Sequence, residues 1–588
     1  MRLSELMGDQ PYRLSAGNPH VQVTGLAHDS RQAGPGYAFF CLAGLRRDGH
    51  DFAADALDRG AVAFVAEREI GVRRPHGPAA GPAVLVVPNS RKALALAASA
   101  YWGHPSSRLR VLAVTGTNGK TTVNHLLEAI LRASGRATGL IGTVENRTGA
   151  FTVPSDLTTP DALGIQANLA TMVASGLSHA CIEVSSHALA GHRLTGCEVD
   201  VGILTNVARD HLDFHVSLGS YVETKLALFR GLGGGFGTGR GKRGPVYAVL
   251  NSDDPHFDRF RLRLTSPALS YGIMRPAHAK VTGAVLGARG SLIRVHFDRR
   301  PPGLPAAGWV EPDPGWPETG TLRMACPGRH NVRNLLAAVT AAWAEGCPWS
   351  AVAEATAGFS GVRGRWEIVG SPDGVTGVVD FAHNPDGLLQ ALETARLVAR
   401  GRVILVFGCE GRKDRGKRPV MGAIAASMAD HVILTIDNTF DESGQQILAD
   451  IEAGLADPAG SLGAALGAVR NRMGLALPET GRGRRATYEI VFDRREAIYR
   501  AAEVARSGDL VMVAGRGHDA KLVFGTRVEI LDDREVLREA LEYAQGARFP
   551  LLPLDGRGRF GGHVVGHAVD PRDGTDDARG DALEEVVR

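Results

Sequence analysis

The densest run of chemistry-bearing residues is "VLAVTGTNGKTTVNHLLEAI", where an apolar strand meets a glycine turn, Lys120 and two threonines directly before an amphipathic helix. Gly116 and Gly119, with Thr117 and Asn118 between them, let backbone N–H groups approach phosphate oxygens. Lys120 can reach β and γ phosphates, and Thr121, followed by Thr122, can offer a hydroxyl to Mg²⁺. This is a cradle for a nucleoside triphosphate. The strict phosphate-loop pattern has glycine where this chain has Val114, so the match is to a variant. A glycine turn that only capped a helix would need neither the lysine nor the hydroxyls after it.

Such a loop must be held at the end of a strand. Strand-like runs alternate with helical patterns through most of the chain: "RVLAVTG" then "TTVNHLLEAILRAS", "HACIEV" then "SSHALAG", "VGILTN", "VYAVLN", "GVVDFAH" then "PDGLLQALETARLVA", "RVILVFG", "HVILTID" and "LVMVAG". This alternation predicts α/β domains with largely parallel sheets. Glycine and proline joints divide it into a first domain over 1–105, a central one over 106–360 and a third over 361–546. Three segments read as surface insertions: "RGLGGGFGTGRGKRGP", "RRPPGLPAAGWVEPDPGWPETG" and "PETGRGRRA". The tail, 547–588, mixes glycine with charge and is expected to be disordered.

With 588 residues the chain has room for several cores. A net charge of +3 is too small to argue for nucleic acid or a membrane surface as partner. The six cysteines are scattered without a CxxC pair, which speaks against a zinc site or disulfide framework and fits a reducing cytoplasm. The N-terminus lacks a signal pattern and no apolar run approaches the roughly 18 residues of a membrane span, so a cytoplasmic protein is expected. A monomer is expected as well.

The variant TGTNGKTT resembles the loop of the ATP-dependent Mur ligases and their relatives, the folylpolyglutamate and cyanophycin synthetases. "NVARDHLDFH", "YVETKLALF", "PGRHNVRNLLAA", "GRWEIV", "VVDFAHNPDG", "FGCEGRKDRGKRPVMGAIA" and "AGRGHD" stand in the order of that family. "TTPDAL", "EVSSHAL", "HDSRQAGPGYAFFCLAG" and "DGHDF" resemble the branch that adds the third amino acid to UDP-N-acetylmuramoyl-L-alanyl-D-glutamate (UDP-MurNAc-L-Ala-D-Glu). The likeness covers about residues 23 to 545.

It implies an ATP- and Mg²⁺-dependent amide ligase working through an acyl phosphate. Two anions must meet in such a reaction, so cations are needed where they join. Glu183, at the end of "HACIEV", and His211, in the turn after "VGILTN", match Mg²⁺ ligands of the family, beside Thr121. Lys225, on a helix, would otherwise read as a solvated lysine; the resemblance implies that it is carbamylated and helps hold a second Mg²⁺. Resemblance also places Asn331 near adenine, Arg365 at the phosphates, and Asp380 and His383 closing over ATP from the third domain. For the UDP-sugar substrate it implies Ser30 at the uridine end, with Thr158, Thr159, Ser185 and Arg193 along the muramoyl peptide. Thr158 and Thr159 could equally cap the helix that starts at "PDALGIQ". Family members often carry glutamine where this chain has Gly191-His192.

The incoming amino acid should be selected by the third domain. Enzymes of the family that add meso-diaminopimelate read Asp-Asn-Pro-Arg at the turn after "HVILTID", the arginine gripping a distal carboxylate. This chain reads Asp437-Asn438-Thr439-Phe440. The family arginine upstream is replaced by Lys413, and Gly515-Arg516-Gly517-His518-Asp519 ends in a shortened acid. Phe440 either favours a less polar side chain or packs under the turn. Two further readings stand beside the leading one: a ligase of the same mechanism recruited to another acid and amine, and a nucleotide-binding regulator without turnover. The second conflicts with the joint presence of Lys120, Glu183, His211 and Lys225.

Overall fold

The structure is a computed structural model, and it describes residues 1–44, 47–72, 81–149, 151–234, 236, 245–298, 315–370, 374–458 and 486–544. The tail over 547–588 and most of the three glycine- or proline-rich segments lie outside the described residues.

The apolar runs become strands of three sheets, each in its own domain. The first has the order Arg13–Ala16, Ala83–Val86, Ala63–Ala66, Tyr37–Phe40, Gly25–Ala27 and is parallel except at the Arg13–Ala16 edge. The central sheet has eleven strands. Its middle is parallel: Thr138–Ile141, His179–Val184, Arg110–Thr115, Val201–Leu204, Tyr247–Asn251 and Ala268–Gly272 lie side by side. The third runs Glu367–Gly370, Thr376–Asp380, Leu510–Ala514, Val403–Phe407, His431–Leu434, Thr487–Ile490, antiparallel only at its first pair.

Parallel strands here are buried on both faces, so they read as continuous apolar runs. Val111 and Ala113 face one core, with Ile165 and Leu169, while Leu112 and Val114 face another, with Leu127 of the Lys120–Ala133 helix and Leu335 of the Arg329–Ala344 helix. The third sheet alternates the same way, Leu405 and Phe407 on one face and Ile404 and Val406 on the other. Each such side chain contributes about 1.5–3 kcal/mol by leaving water.

The sequence reading quoted the runs at the centre of the second and third sheets, but did not single out the parallel strands Thr138–Ile141, Ala268–Gly272 and Thr487–Ile490, those of the first sheet, or the largely antiparallel margins of the central sheet. Ala279–Gly287, Gly290–Phe297 and Thr319–Met324 extend one side of the central sheet, and Glu145–Arg147 with Thr152–Pro154 extend the other. Gly290–Phe297 alternates buried and accessible positions, so it carries too few apolar residues to stand out as a run. Lys120, His211 and Lys225 sit beyond the C-terminal end of a parallel strand or on a helix that follows one, and Glu183 lies near the C-terminal end of such a strand, where crevices form in open α/β sheets.

Candidate active site

The phosphate loop leaves the Arg110–Thr115 strand at Gly116, whose φ is 150°, and enters its helix after Gly119, whose φ is 85°. A Cβ on Gly116 would lie 1.8 Å from Thr205 Oγ1, and one on Gly119 2.2 Å from Asn334 Oδ1. Only glycine fits either position. Lys120 Nζ folds back to donate to Gly116 O (3.1 Å) and Thr117 O (2.9 Å), and desolvation lowers its pKa. Asn118 N donates to Asn206 Oδ1 at 3.1 Å, and the Thr117 hydroxyl pairs with Tyr221 OH at 3.1 Å.

Thr121 and Glu183 meet at the head of this helix. Thr121 Oγ1 donates to Glu183 Oε2 at 3.0 Å, while Thr143 donates its N–H and its hydroxyl to the same carboxylate at 2.9 and 2.8 Å. Arg365, from the third domain, donates to Thr121 Oγ1 at 3.2 Å and lies over the Phe381 ring at 4.0 Å. Asp380 accepts from the Trp366 and Ala382 N–H groups at 2.7 and 2.9 Å, and burial raises its pKa.

Beneath the loop, Lys225 on the Leu218–Arg230 helix is 1% exposed. Its Nζ donates to Gly116 O at 2.8 Å and lies 4.4 Å from the centre of the Tyr221 ring. Burial, reinforced by the charge of Lys120, pushes its pKa well below the usual lysine value. His211, in a left-handed conformation, has its imidazole pKa lowered to about 3, chiefly by desolvation.

Asp210, which the sequence reading passed over, joins the central and third domains. It accepts from Asn384 Nδ2 at 3.0 Å and lies 3.5 Å from His383 Nε2 and 3.7 Å from His211 Nε2. Burial opposes its ionisation, yet His383, His211 and Lys417 hold its pKa well below the usual carboxylate range. Asn384 also pairs with Asn118 of the phosphate loop, at 3.1 and 3.3 Å. Both missed residues are direct neighbours of residues that were singled out.

These groups surround one cavity of about 530 Å³. It is lined on the nucleotide side by Thr117 to Thr122, His211, Asn331, Arg365, Asp380 and His383, and farther out by Thr158, Thr159, Ser185 and Arg193. Thr159 is fixed: its hydroxyl donates to Glu183 O at 2.7 Å and accepts from Ser185 N at 3.0 Å, and its carbonyl accepts from Arg193 at 2.7 Å. The helix Ala162–Ala174 is capped by Asp161, so Thr158 and Thr159 are not its caps. Gly116, Glu183 and Lys225 stand behind the lining. Ser30 is buried in the first domain at the start of a short 3₁₀ turn and does not line this cavity.

The part of the cavity where the amino-acid-binding residues were expected is lined by Glu410, Lys413, Asp437, Asn438, Gly515, Arg516 and Asp519. Thr439 and Phe440, expected there as well, are not among the residues that line the cavity. Both N–H groups donate to Val523 O (3.1 and 3.2 Å), Phe440 has φ 52°, and its ring lies under the Arg412 guanidinium at 5.8 Å, outside the lining. Asp437 is bound instead to a buried cation: Arg516 Nη1 donates to Asp437 Oδ1 at 3.0 Å and to Asn438 Oδ1 at 3.2 Å. Burial alone would raise the Asp437 carboxyl, but Arg516 and Arg494 hold it below the usual range.

Among the described residues no group of three or more His, Cys, Asp or Glu side chains is placed to hold a metal. Mg²⁺ usually takes one or two protein ligands together with phosphate oxygens and water. The hydroxyl of Thr121 and the carboxylate of Glu183, hard oxygen donors in contact beside the phosphate loop, fit that pattern.

Family models match the chain in three stretches: "Mur ligase family, catalytic domain" over residues 22–102, "Mur ligase middle domain" over 114–342 and "Mur ligase, glutamate ligase domain" over 364–517. UDP-N-acetylmuramoyl-L-alanyl-D-glutamate–2,6-diaminopimelate ligase of Geobacillus thermodenitrificans is 38% identical over 92% of this chain and 98% of that protein. The protein of the same name from Syntrophomonas wolfei is 35% identical over 92% of this chain and 99% of its own. A solved structure of a ligase of that name, 28% identical, superposes with a TM-score of 0.58 over 93% of this chain and 99% of the other. The MurF ligase from Thermotoga maritima in complex with ADP shares the fold, with a TM-score of 0.56 at 17% identity over 90% of this chain and 98% of the other.

Proposed function

The chain belongs to the Mur ligase family, and from that premise we propose that it is an ATP-dependent amide ligase adding one amino acid to UDP-MurNAc-L-Ala-D-Glu during peptidoglycan precursor synthesis in the cytoplasm. The observation that carries this reading is the shared cavity. Lys120 and Arg365 converge beside Thr121, the threonines and Arg193 expected along the muramoyl peptide open from one side, and Lys413 with Asn438 opens from the other.

The γ-phosphoryl group of ATP passes to the D-glutamate carboxylate and ADP leaves, giving an acyl phosphate. The amine nitrogen then bonds to the acyl carbon, phosphate departs and the nitrogen gives up a proton. Lys120 and Arg365 stand where negative charge gathers on the transferred group, and their attraction offsets the repulsion between carboxylate and triphosphate. Asp380 and His383, with Asn384 on the third domain, close the nucleotide side and exclude water that would hydrolyse the acyl phosphate. Thr121 and Glu183, with His211 nearby, would hold Mg²⁺, which when bound would supply further neutralisation of the phosphates. Lys225, whose ammonium form burial disfavours, is suited to adding CO₂ with loss of a proton, which would place a second carboxylate beneath the loop. No described helix is long and apolar enough to cross a membrane.

The test is phosphate release by the purified protein with ATP, Mg²⁺ and UDP-MurNAc-L-Ala-D-Glu over a panel of amino acids, with the product weighed by mass spectrometry. A product heavier than the dipeptide substrate by one amino-acid residue is expected. Absence of phosphate release with every amine rules the reading out.

A further inference from the structure

The relatives' names give 2,6-diaminopimelate as the amine, a molecule with a carboxylate at each end. The charges at the amine end of this cavity are arranged for something else. The arginines around the Asp437 turn are already engaged by the protein's own carboxylates: Arg516 by Asp437, Arg412 by Asp441, Arg418 by Glu442 and Asp450, Arg494 by Asp533. Lys417 donates to His383 O at 2.8 Å, on the nucleotide side. Lys413 remains, a cavity-lining cation with no ion pair among the described residues, near enough to His187 of the central domain to help lower its pKa after desolvation. It is placed to receive the α-carboxylate of an amino acid whose amine faces the acyl phosphate.

Glu410, just past the Val403–Phe407 strand, also lines the cavity without an ion pair among the described residues. Among the described residues its side chain makes one hydrogen bond, accepting from Asn438 Nδ2 at Oε1 at 3.3 Å. The orientation of that amide is fixed, because its oxygen accepts from Arg516 at 3.2 Å and from Val523 N at 2.8 Å. This part of the lining therefore presents a carboxylate with one weak neutral donor, and Asp519 adds a second carboxylate whose one bond among the described residues is from Lys521 N at 2.9 Å. A distal carboxylate on the substrate would meet like charge there and, among the described residues around the Asp437 turn, no unpaired cation beyond Lys413. A distal ammonium would complete the site.

We propose that Glu410 determines the choice of amine, and that this site takes an amino acid whose side chain ends in a cation, of the lysine or ornithine class, in preference to one ending in a carboxylate. The inference rests on the ligase reading above and deepens it.

The experiment uses the full chain with ATP, Mg²⁺ and UDP-MurNAc-L-Ala-D-Glu, and compares lysine, ornithine, norleucine and meso-diaminopimelate by kcat/KM and product mass. Lysine or ornithine should exceed both norleucine and meso-diaminopimelate by about tenfold or more, the size of a charge-assisted pair. Glu410→Gln should lower the lysine-to-norleucine ratio by about tenfold, and Glu410→Arg should move preference toward meso-diaminopimelate. Preference of the unaltered protein for meso-diaminopimelate, or a ratio untouched by Glu410→Gln, overturns the proposal. Hydroxylamine in place of the amino acid reports acyl-phosphate formation alone, as a hydroxamate. Without hydroxamate the ligase reading itself falls. Hydroxamate together with rejection of basic amino acids refutes only the role of Glu410.

Discussion

A lysine held under a phosphate loop with almost no contact with water is costly as a cation, since desolvation disfavours the ammonium and Lys120 repels it. The neutral amine is the form that reacts with CO₂. Removing dissolved CO₂ should therefore depress ligation, and bicarbonate should restore it. Lys225→Ala should lose activity by about 100-fold or more, with no response to bicarbonate, as expected for a charge that acts on the transition state. Steady-state kinetics under controlled CO₂ would decide this, and a ¹³C carbamate resonance in labelled bicarbonate would report the adduct directly.

Asp437 makes the opposite case, a carboxyl kept ionised by buried guanidinium groups. Its ordinary pKa is 3.8, and in the fold it is lower, held down by Arg516 and Arg494 against burial. A depressed carboxyl contributes stability that is complete above its unfolded value and is lost as pH falls through its folded value. Asp437→Asn leaves Arg516 buried without its anion and should cost about 3 kcal/mol at pH 7, measured by denaturant unfolding. The gap between the two proteins should narrow as pH falls below about 4.

At the scale of elements, the strand–loop–helix unit allows little variation because the loop runs against Thr205 and Asn334. Gly119→Ala must fit a Cβ 2.2 Å from Asn334 Oδ1 at φ 85°. It should raise the KM for ATP by about tenfold or more, with a smaller change in thermal midpoint, since strain of about 1–3 kcal/mol falls on the nucleotide cradle. This unit was fully legible in the sequence, as were the strand ends carrying Glu183, Asp380 and His383, because a contiguous apolar run followed by a polar turn encodes its own position. Contacts between distant segments were not legible. Arg516 meets Asp437 across 79 positions and Glu410 meets Asn438 across 28, and neither pairing leaves a local pattern. The turn at Phe440 has the same character, since its N–H donates to Val523 O of a later hairpin.

At the scale of the whole molecule, the site exists only when the third domain rests on the central one, and the contacts between them differ greatly in worth. Lys521–Asp156, at 2.7 Å, has both side chains largely in water, so it contributes little. Arg209–Asp414, at 3.0 Å, is half in water on the arginine side. The joint of Asn384 with Asn118 and Asp210 is different: Asn384 is fully buried, and its loss would leave the Asp210 carboxylate short of a donor inside the protein. It also links the phosphate loop directly to the third-domain turn bearing His383. Closure should thus be carried by this buried joint, with the surface pairs adding steering at most. Asn384→Ala is expected to lower kcat by about tenfold and to raise the KM for ATP, while Lys521→Ala stays within about twofold of the unaltered protein. Steady-state kinetics at low and high salt separates the two contributions, because screening weakens the exposed pairs and leaves the buried amide joint in place. Equal effects of the two substitutions at low salt would show that closure depends on the surface pairs instead.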